Sequence, residues 1–493
     1  MLRRMTDTMR PRGPDDAGIW AGPDAALGHR RLAVIDVEGG AQPMLAARGP
    51  DSGPVVLVYG GEVYNFGELR RQLCSHGHRF RTRSDTEVVL RSYLQWGERC
   101  VERFNGMFAF AVWDADHRSL LLARDRMGIK PLYYAPLPSG VLFASEPKGL
   151  FAHGAFAPQV GEEALPLLLN ARLALPGETP VHGMHEVAPG HVLVIGPETT
   201  RERRYWALTS REHRDNLPTT IGRVRELLED VVARQVVADV PVSCLLSGGL
   251  DSATVSALAV RELPGRLRTY CVDFADDERH FRPTALRPER DAPYARVAAE
   301  HLGTDHSEVV LAAKDVTAAV PATRRARDLP GFGQFDSSIY LLFKAVRLDS
   351  TVTLSAEAAD ELFGGYPWFH DPATVWRDTF PWLGDAPRLA GCLAGDVRER
   401  VRPDQVEADR YATLLARVPR LPGETGLDAR MREVLFLSLS GPLAVLLDRK
   451  DRMSMAVGLE ARVPFCDHRL VEYVWNVPWS VKTAGGHQKS LLR

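Results

Sequence analysis

The chain has 493 residues, with 61 Lys+Arg against 63 Asp+Glu and a formal charge of −2. A near-neutral surface lacks the basic field that displaces phosphate counterions, which excludes a dedicated nucleic-acid or anionic-membrane binder. Hydrophobic residues at 45% and charged residues at 25% fit a globular protein and exclude wholesale disorder. At roughly 150 residues per domain, this length predicts three domains or two large ones. The longest apolar run, 434–447, is interrupted by Ser438, Ser440, Gly441 and Pro442 and falls short of the about 20 residues a membrane span needs. The basic start has no apolar stretch behind it and is not a secretory signal. Cys74, Cys100, Cys244, Cys271, Cys392 and Cys466 are scattered without a CxxC pair, so no zinc ribbon or disulfide framework is expected. These features predict a soluble, cytoplasmic, reduced protein.

Up to Trp206, short apolar strands alternate with turns. GPVVLVYGGEVYN, GMFAFAVWDADHRSLLLARDR, VLFAS and GHVLVIG read as strands; FGELRRQLCSHG and TEVVLRSYLQWGERC read as helices between them. This pattern predicts an antiparallel β-sandwich with helical layers over residues 1–206. Residues 207–220 are polar and aperiodic, a linker. From 221 to 493 the texture is that of α/β architecture. A helical stretch leads into VPVSCLLSGG, a buried strand ending in a glycine turn, and DSATVSALAVREL reads as the following helix. LRTYCVDF, YARVAAEHLG and STVTLSAEAADELFGGY continue the alternation, which predicts a doubly wound parallel sheet. Beyond about Pro367 the chain reads as a mostly helical extension.

The most informative segment is Leu245-Leu246-Ser247-Gly248-Gly249-Leu250-Asp251-Ser252. A buried strand delivers a Ser-Gly-Gly turn to a helix start, where amides and the Ser247 and Ser252 hydroxyls can cradle a phosphate. No Walker GxxxxGK[ST] occurs in the chain. Asp251 beside phosphate implies Mg²⁺ between them; the plain alternative is a glycine turn whose acid stabilises the helix dipole. Ser355-Ala356-Glu357-Ala358-Ala359-Asp360 repeats the strand-to-turn logic. Ligands bind beyond the carboxyl ends of parallel strands, so Asp251 and Asp360 are expected on one rim, sharing a metal, with Glu357 near the reacting centre. Capping and solvation by acids is the alternative here.

SGGLDS resembles the pyrophosphate loop of the N-type ATP pyrophosphatases. Together with SAEAADELFGGY and DRMSMAVGLEARVPFCDHRLVE, it resembles the glutamine-dependent asparagine synthetase family. RPRGPDD, GHRRLAVIDVEGGAQPM, GGEVYNF, RTRSDTEVVL, FNGMFAFAVWD, ARDRMGIKPLYY and FASEPK carry the likeness through the N-terminal half. The resemblance implies an N-terminal-nucleophile glutamine amidotransferase domain and an ATP-pyrophosphatase synthetase domain. It also implies asparagine synthesis from aspartate, ATP and glutamine or ammonia, through β-aspartyl-AMP. By the same resemblance Ser247, Gly248, Gly249 and Ser252 hold pyrophosphate, and Leu245, Val272, Ser355 and Ala356 lie at the nucleotide. Asp251 and Asp360 bind Mg²⁺, and Glu357 is the catalytic acid. Arg31, Glu62 and Asp85 bind glutamine, and Gly61 gives the oxyanion-hole amide. A homodimer is the default assembly.

Several positions depart from the family pattern. The family's nucleophile is an N-terminal Cys, whereas this chain begins Met1-Leu2 and its first Cys, Cys74, sits in a helical stretch and reads as packing. The family's opening strand is expected to be missing before Arg12. Gly60 stands where the family has Asn, and Ala356, Ala358 and Ala359 replace Gly and Ser; alanine is expected to keep φ negative there. The adenylation Lys of the family falls beyond Arg493 and Lys489 is not its match, so the C-terminus is also read as short. Two alternatives follow. One is a lactam-forming or ammonia-dependent relative with an inactive glutaminase domain; the other is a non-catalytic remnant.

Overall fold

The computed structural model describes residues 1–284, 287–330, 334–383 and 389–493. Strands β1 (Asp16–Ala21) and β2 (Ala26–Arg31) form an antiparallel ribbon. Strands β3 (Met44–Ala46), β4 (Val55–Val63), β5 (Gly106–Asp114) and β6 (Ser119–Arg124) follow. Next come β7 (Tyr133–Leu137), β8 (Gly140–Ala144), β9 (His185–Glu186), β10 (His191–Ile195) and β11 (Thr200–Arg204). The main antiparallel sheet has the order β11-β10-β6-β5-β4-β3, and β8-β7-β9 form a smaller sheet.

The two-residue period of β4 and β5 divides their side chains between two cores. Val55, Leu57, Tyr59, Phe108 and Phe110 pack against Leu69, Leu73, Val88 and Val89 of helices Phe66–Ser75 and Asp85–Trp96. Val56, Val58, Ala109 and Ala111 face Leu27, Leu132 and Val187 on the other side. A sheet covered on both faces carries near-continuous apolar strands, which is how β4 and β5 read.

The second half is built on a parallel sheet of order β14-β13-β12-β15-β16, from β12 (Val242–Leu245), β13 (Arg268–Phe274), β14 (Asp305–Leu311), β15 (Val352–Leu354) and β16 (Glu460–Arg462). Val224, Leu228, Val255 and Ala259 cover Cys244 and Leu354 on one face. Phe343, Val346 and Met453 cover Tyr270 and Ala461 on the other, with Leu245 and Val272 at the edge of that cluster. The expected antiparallel and doubly wound classes are both present.

Three local readings change. The helix Leu217–Gln235 starts inside the stretch read as linker, because the Asn216 side chain accepts from Thr219 N and a proline occupies the first turn. β16 lies within the region read as helical; three residues containing Glu460 and Arg462 carry no apolar alternation. Cys74 is exposed, since the apolar face of its helix is set by Leu69 and Leu73. The opening residues form the helix Leu2–Thr8, which buries Met5 and Thr6.

The halves are joined by buried polar contacts. Arg12 Nη1 lies 2.9 Å from Glu146 Oε1 and 2.6 Å from Asp451 Oδ2, and Lys130 Nζ lies 3.3 Å from Asp451 Oδ1. Asn105 Nδ2 donates to Asp467 Oδ2 at 2.8 Å. Among the described residues no helix is long and apolar enough to cross a membrane.

Candidate functional site

β12 ends at Leu245, and the chain turns through Ser247-Gly248-Gly249 into the helix Leu250–Glu262. Gly248 has φ +79°, and a Cβ there would stand 2.3 Å from the Tyr294 carbonyl carbon, so only glycine fits this crossing. No side chain caps the helix. Ser252 Oγ accepts from Ser247 N at 3.1 Å and shares a 3.0 Å hydrogen bond with Ser247 Oγ. Two hydroxyls and a helix N-terminus thus converge on one turn, with their hydrogen bonds closed on one another, ready to be exchanged for an anion's.

β15 lies beside β12 in parallel register, and its turn brings Asp360 to the same rim as Asp251. One ammonium spans them: Lys489 Nζ pairs with Asp251 Oδ2 and lies 2.5 Å from Asp360 Oδ1. Asp251 Oδ1 is buried without a hydrogen-bond partner. Burial pushes the Asp251 carboxyl up to about 6, Asp360 adds to the shift, and Lys489 opposes it. Two carboxylates converging on a cation, one with an orphaned oxygen, make a hard-oxygen donor set that fits Mg²⁺.

The turn also carries Glu357. Lys450 Nζ lies 2.5 Å from its Oε1, and Ser355 Oγ donates to its Oε2. Burial would raise this carboxyl, but Lys450, helped by Ser355 and Arg449, holds it below the usual range. Ala358 departs from expectation: its φ is +77°, the left-handed conformation glycine takes without strain. The buried strand end and the following helical turn determine the backbone there, and the alanine follows.

The glutamine candidates share one cavity of about 910 Å³, lined by Arg31, Gly60, Gly61, Glu62 and Asp85 and reaching Met455 and Glu460 of the second half. Arg31 donates to the carbonyls of Val37 at 2.6 Å and Asp36 at 2.8 Å, which fixes its fork. Asp85 Oδ2 accepts from Tyr59 Oη at 2.6 Å and Val63 N at 3.1 Å. Glu62 is 4% exposed, and its Oε2 has no partner. Burial foremost, then Asp85 and Glu460, drive its carboxyl well above the ordinary range, against Arg462. A desolvated carboxyl with one oxygen near Arg462 and the other without a partner, beside Asp85, suits an incoming ammonium. Gly61 has φ +131°, and a Cβ would stand 2.1 Å from Met107 O; at Gly60 a Cβ meets nothing closer than 4.0 Å. Among the described residues no cysteine lines this cavity.

Sequence reasoning missed Lys450, Arg462 and Tyr59, and set Lys489 aside. Arg462 stands inside DRMSMAVGLEARVPFCDHRLVE and Lys450 one residue before it, but only the fold places them at the sites. Outside both sites, Cys271, His306 and Glu308 bring ligand atoms within 4.8 Å of one another; both Glu308 oxygens are bound by Arg296, so no carboxylate is left free for a metal.

Residues 1–206 match the glutamine amidotransferase domain and residues 223–493 the asparagine synthase family. The chain is 40% identical to asparagine synthetase [glutamine-hydrolyzing] 3 of Bacillus subtilis, over 100% of this chain and 80% of that protein. A putative glutamine-hydrolysing asparagine synthetase of Mycobacterium tuberculosis is 31% identical, again over 100% and 80%. Amidase chry2 of Gibberella zeae is 30% identical, over 98% and 79%. With both halves matched and identity running end to end, the chain belongs to the glutamine-hydrolysing asparagine synthetase family.

Proposed function

We propose that the protein makes asparagine from aspartate and ATP through β-aspartyl-AMP. In this reading residues 1–206 supply ammonia from glutamine and 221–493 synthesise, with the helix Leu217–Gln235 reaching back into the connecting residues 207–220. The carrying observation is the rim where Asp251 and Asp360 close on one cation, beside the Ser-Gly-Gly turn and the ion-paired Glu357.

Asp251 and Asp360 are the groups that would hold Mg²⁺, which when bound offsets charge on the phosphates. The 247–249 amides and the Ser247 and Ser252 hydroxyls receive the pyrophosphate, with Leu245, Val272, Ser355 and Ala356 bordering the nucleotide. Lys489 leaves the acids as the nucleotide enters and turns to its phosphates. The aspartate side-chain carboxylate attacks the α-phosphorus and pyrophosphate departs. Ammonia then attacks the acyl carbon, AMP departs, and Glu357 Oε takes the proton the nitrogen loses. In the other half Arg31 pairs with the glutamine carboxylate, Glu62 and Asp85 hold its ammonium, and the Gly61 amide stands where an oxyanion would form once a nucleophile adds to the amide carbon, an attack that no cysteine lining this cavity among the described residues supplies. A reduced cytoplasmic setting, supported by six free thiols, and a homodimeric assembly belong to the same proposal.

The test is pyrophosphate release with aspartate, Mg²⁺ and ATP, supplied with glutamine or ammonium, with asparagine identified by mass. Release with ammonium that falls at least about 100-fold in D251N supports the reading; no release with either nitrogen source overturns it. A second reading, an ammonia-dependent enzyme, is favoured by Gly60, which places no side-chain donor at the oxyanion position. Turnover with ammonium and none with glutamine would select it.

A further inference from the structure

Lys450 is 4% exposed, and its Nζ lies 5.3 Å from the Phe343 ring centroid as well as 2.5 Å from Glu357. The two oxygens of Glu357 are thus held from different elements, Ser355 at the end of β15 and Lys450 on the helix Pro442–Met455. That helix cannot turn about its axis. Successive residues point about 100° apart, and the two after Lys450 are each pinned. Asp451 binds Arg12 and Lys130 of the first half. Arg452 donates to Arg327 O at 2.7 Å and to Asp328 Oδ2 at 2.6 Å. The ammonium of Lys450 is therefore aimed by its neighbours as well as by Glu357. The other charged or titratable groups that act on Glu357, or feel its charge, are Arg449 on the same helix, Glu361 and Tyr366 after β15, and Cys466.

We propose that Lys450 is a positioning residue for the amide-forming step, fixing the Glu357 carboxylate as the acceptor of the proton that ammonia loses. The proposal rests on the asparagine-forming reading above. Lys450, as an ammonium, has no lone pair and does not take the proton itself. It keeps Glu357 charged in a dry site, and with Ser355 it leaves the carboxylate a single orientation. Once the proton has arrived on Glu357, the pair carries one net positive charge beside the departing AMP.

The experiment compares wild type, K450M and K450R. K450M keeps an unbranched side chain, one atom shorter, and removes its charge; circular dichroism checks that each variant is folded. In ammonium-supported pyrophosphate release, K450M is expected to lose about 100-fold or more in kcat, the lower end of a general-base contribution, with KM for ATP changed less than about threefold. K450R is expected to recover at least tenfold of that loss, about one power of ten within the general-base range. Independently of turnover, infrared pH-difference spectra are expected to show a protonated carboxyl in K450M at pH 7 that is missing in wild type and in K450M/E357Q. Wild-type kcat in K450M, a loss confined to KM, or no new protonated carboxyl overturns the proposal. If wild type itself releases no pyrophosphate, the asparagine-forming reading fails, and the spectra alone decide whether Lys450 sets the charge of Glu357.

Discussion

Two positive-φ positions near the nucleotide turn respond differently to substitution. At Gly248, alanine meets the Tyr294 backbone at 2.3 Å, so G248A should lower stability by more than about 2 kcal/mol, read by urea denaturation, and abolish ATP binding. At Ala358 the left-handed conformation costs about 1–2 kcal/mol. Glycine would relieve this, yet it would lose a buried methyl worth about 0.8 kcal/mol and gain unfolded-state freedom worth about 0.4–1 kcal/mol. A358G should therefore stay within about 1 kcal/mol of wild type by the same measurement. A third residue gives a pH signature. Lys482 is buried, donates to Leu362 O, and is pushed down to about 7 by desolvation, with Arg432 adding. Its folded-state value lies below the unfolded one, so the unfolded chain binds the extra proton between about 7 and 10.5, and stability rises with pH across that window. K482M should remove the rise, and its advantage over wild type should be largest at pH 6 and shrink by pH 10 in paired denaturation curves.

The helix Pro442–Met455 shows what periodicity can and cannot reveal. The strand-turn-helix units around SGGLDS were legible because each obeys a local rule of spacing, whereas this helix was read only as part of a mostly helical stretch. That Lys450, Asp451 and Arg452 face three different partners was not legible, because charged residues in succession read as a solvated face. β16 escaped for a related reason: its Glu460 and Arg462 are buried as an ion pair 2.9 Å apart, and buried charge gives no apolar signal. The acidic rim was readable from two separate turns, since parallel strands must end together; the lysine that closes it comes from residue 489, whose position depends on the packing of everything between. The Arg12–Asp451 contact gives the test at this scale. R12M leaves Glu146 and Asp451 short of a buried cation, and should lower stability by about 3 kcal/mol in chemical denaturation. Asp451 is desolvated, but Arg12 and Lys130 hold it below the usual carboxylate range. Its contribution is present above the unfolded carboxylate value and is lost as pH falls through the folded one, so the wild-type advantage over R12M should shrink under acid.

Across the whole molecule, a side chain of the second half reaches the glutamine cavity of the first. Arg462 is fully buried. It donates to Gln235 O at 2.6 Å and Val237 O at 2.8 Å, pairs with Glu460, and reaches to 3.5 Å from Glu62 in the glutamine cavity. Removing it strips a counter-charge from Glu62 while leaving the Ser-Gly-Gly turn untouched. In the proposed reaction, R462M should therefore raise KM for glutamine at least about tenfold, with the ammonium-supported rate changed less than about threefold. Steady-state kinetics with the two nitrogen sources would check this. Equal losses with both sources would mean that Arg462 serves only the packing of the second half.

That reach of Arg462 bears on protein engineering. A designer who wished to transplant the amidotransferase half onto a foreign ligase would cut near the helix Leu217–Gln235, where the sequence offers an inviting seam. The graft would leave behind the Arg462 guanidinium that answers Glu62, because it is supplied from far downstream by β16 of the other half. A working chimera must import β16 along with the pocket, or rebuild its arginine on the new host.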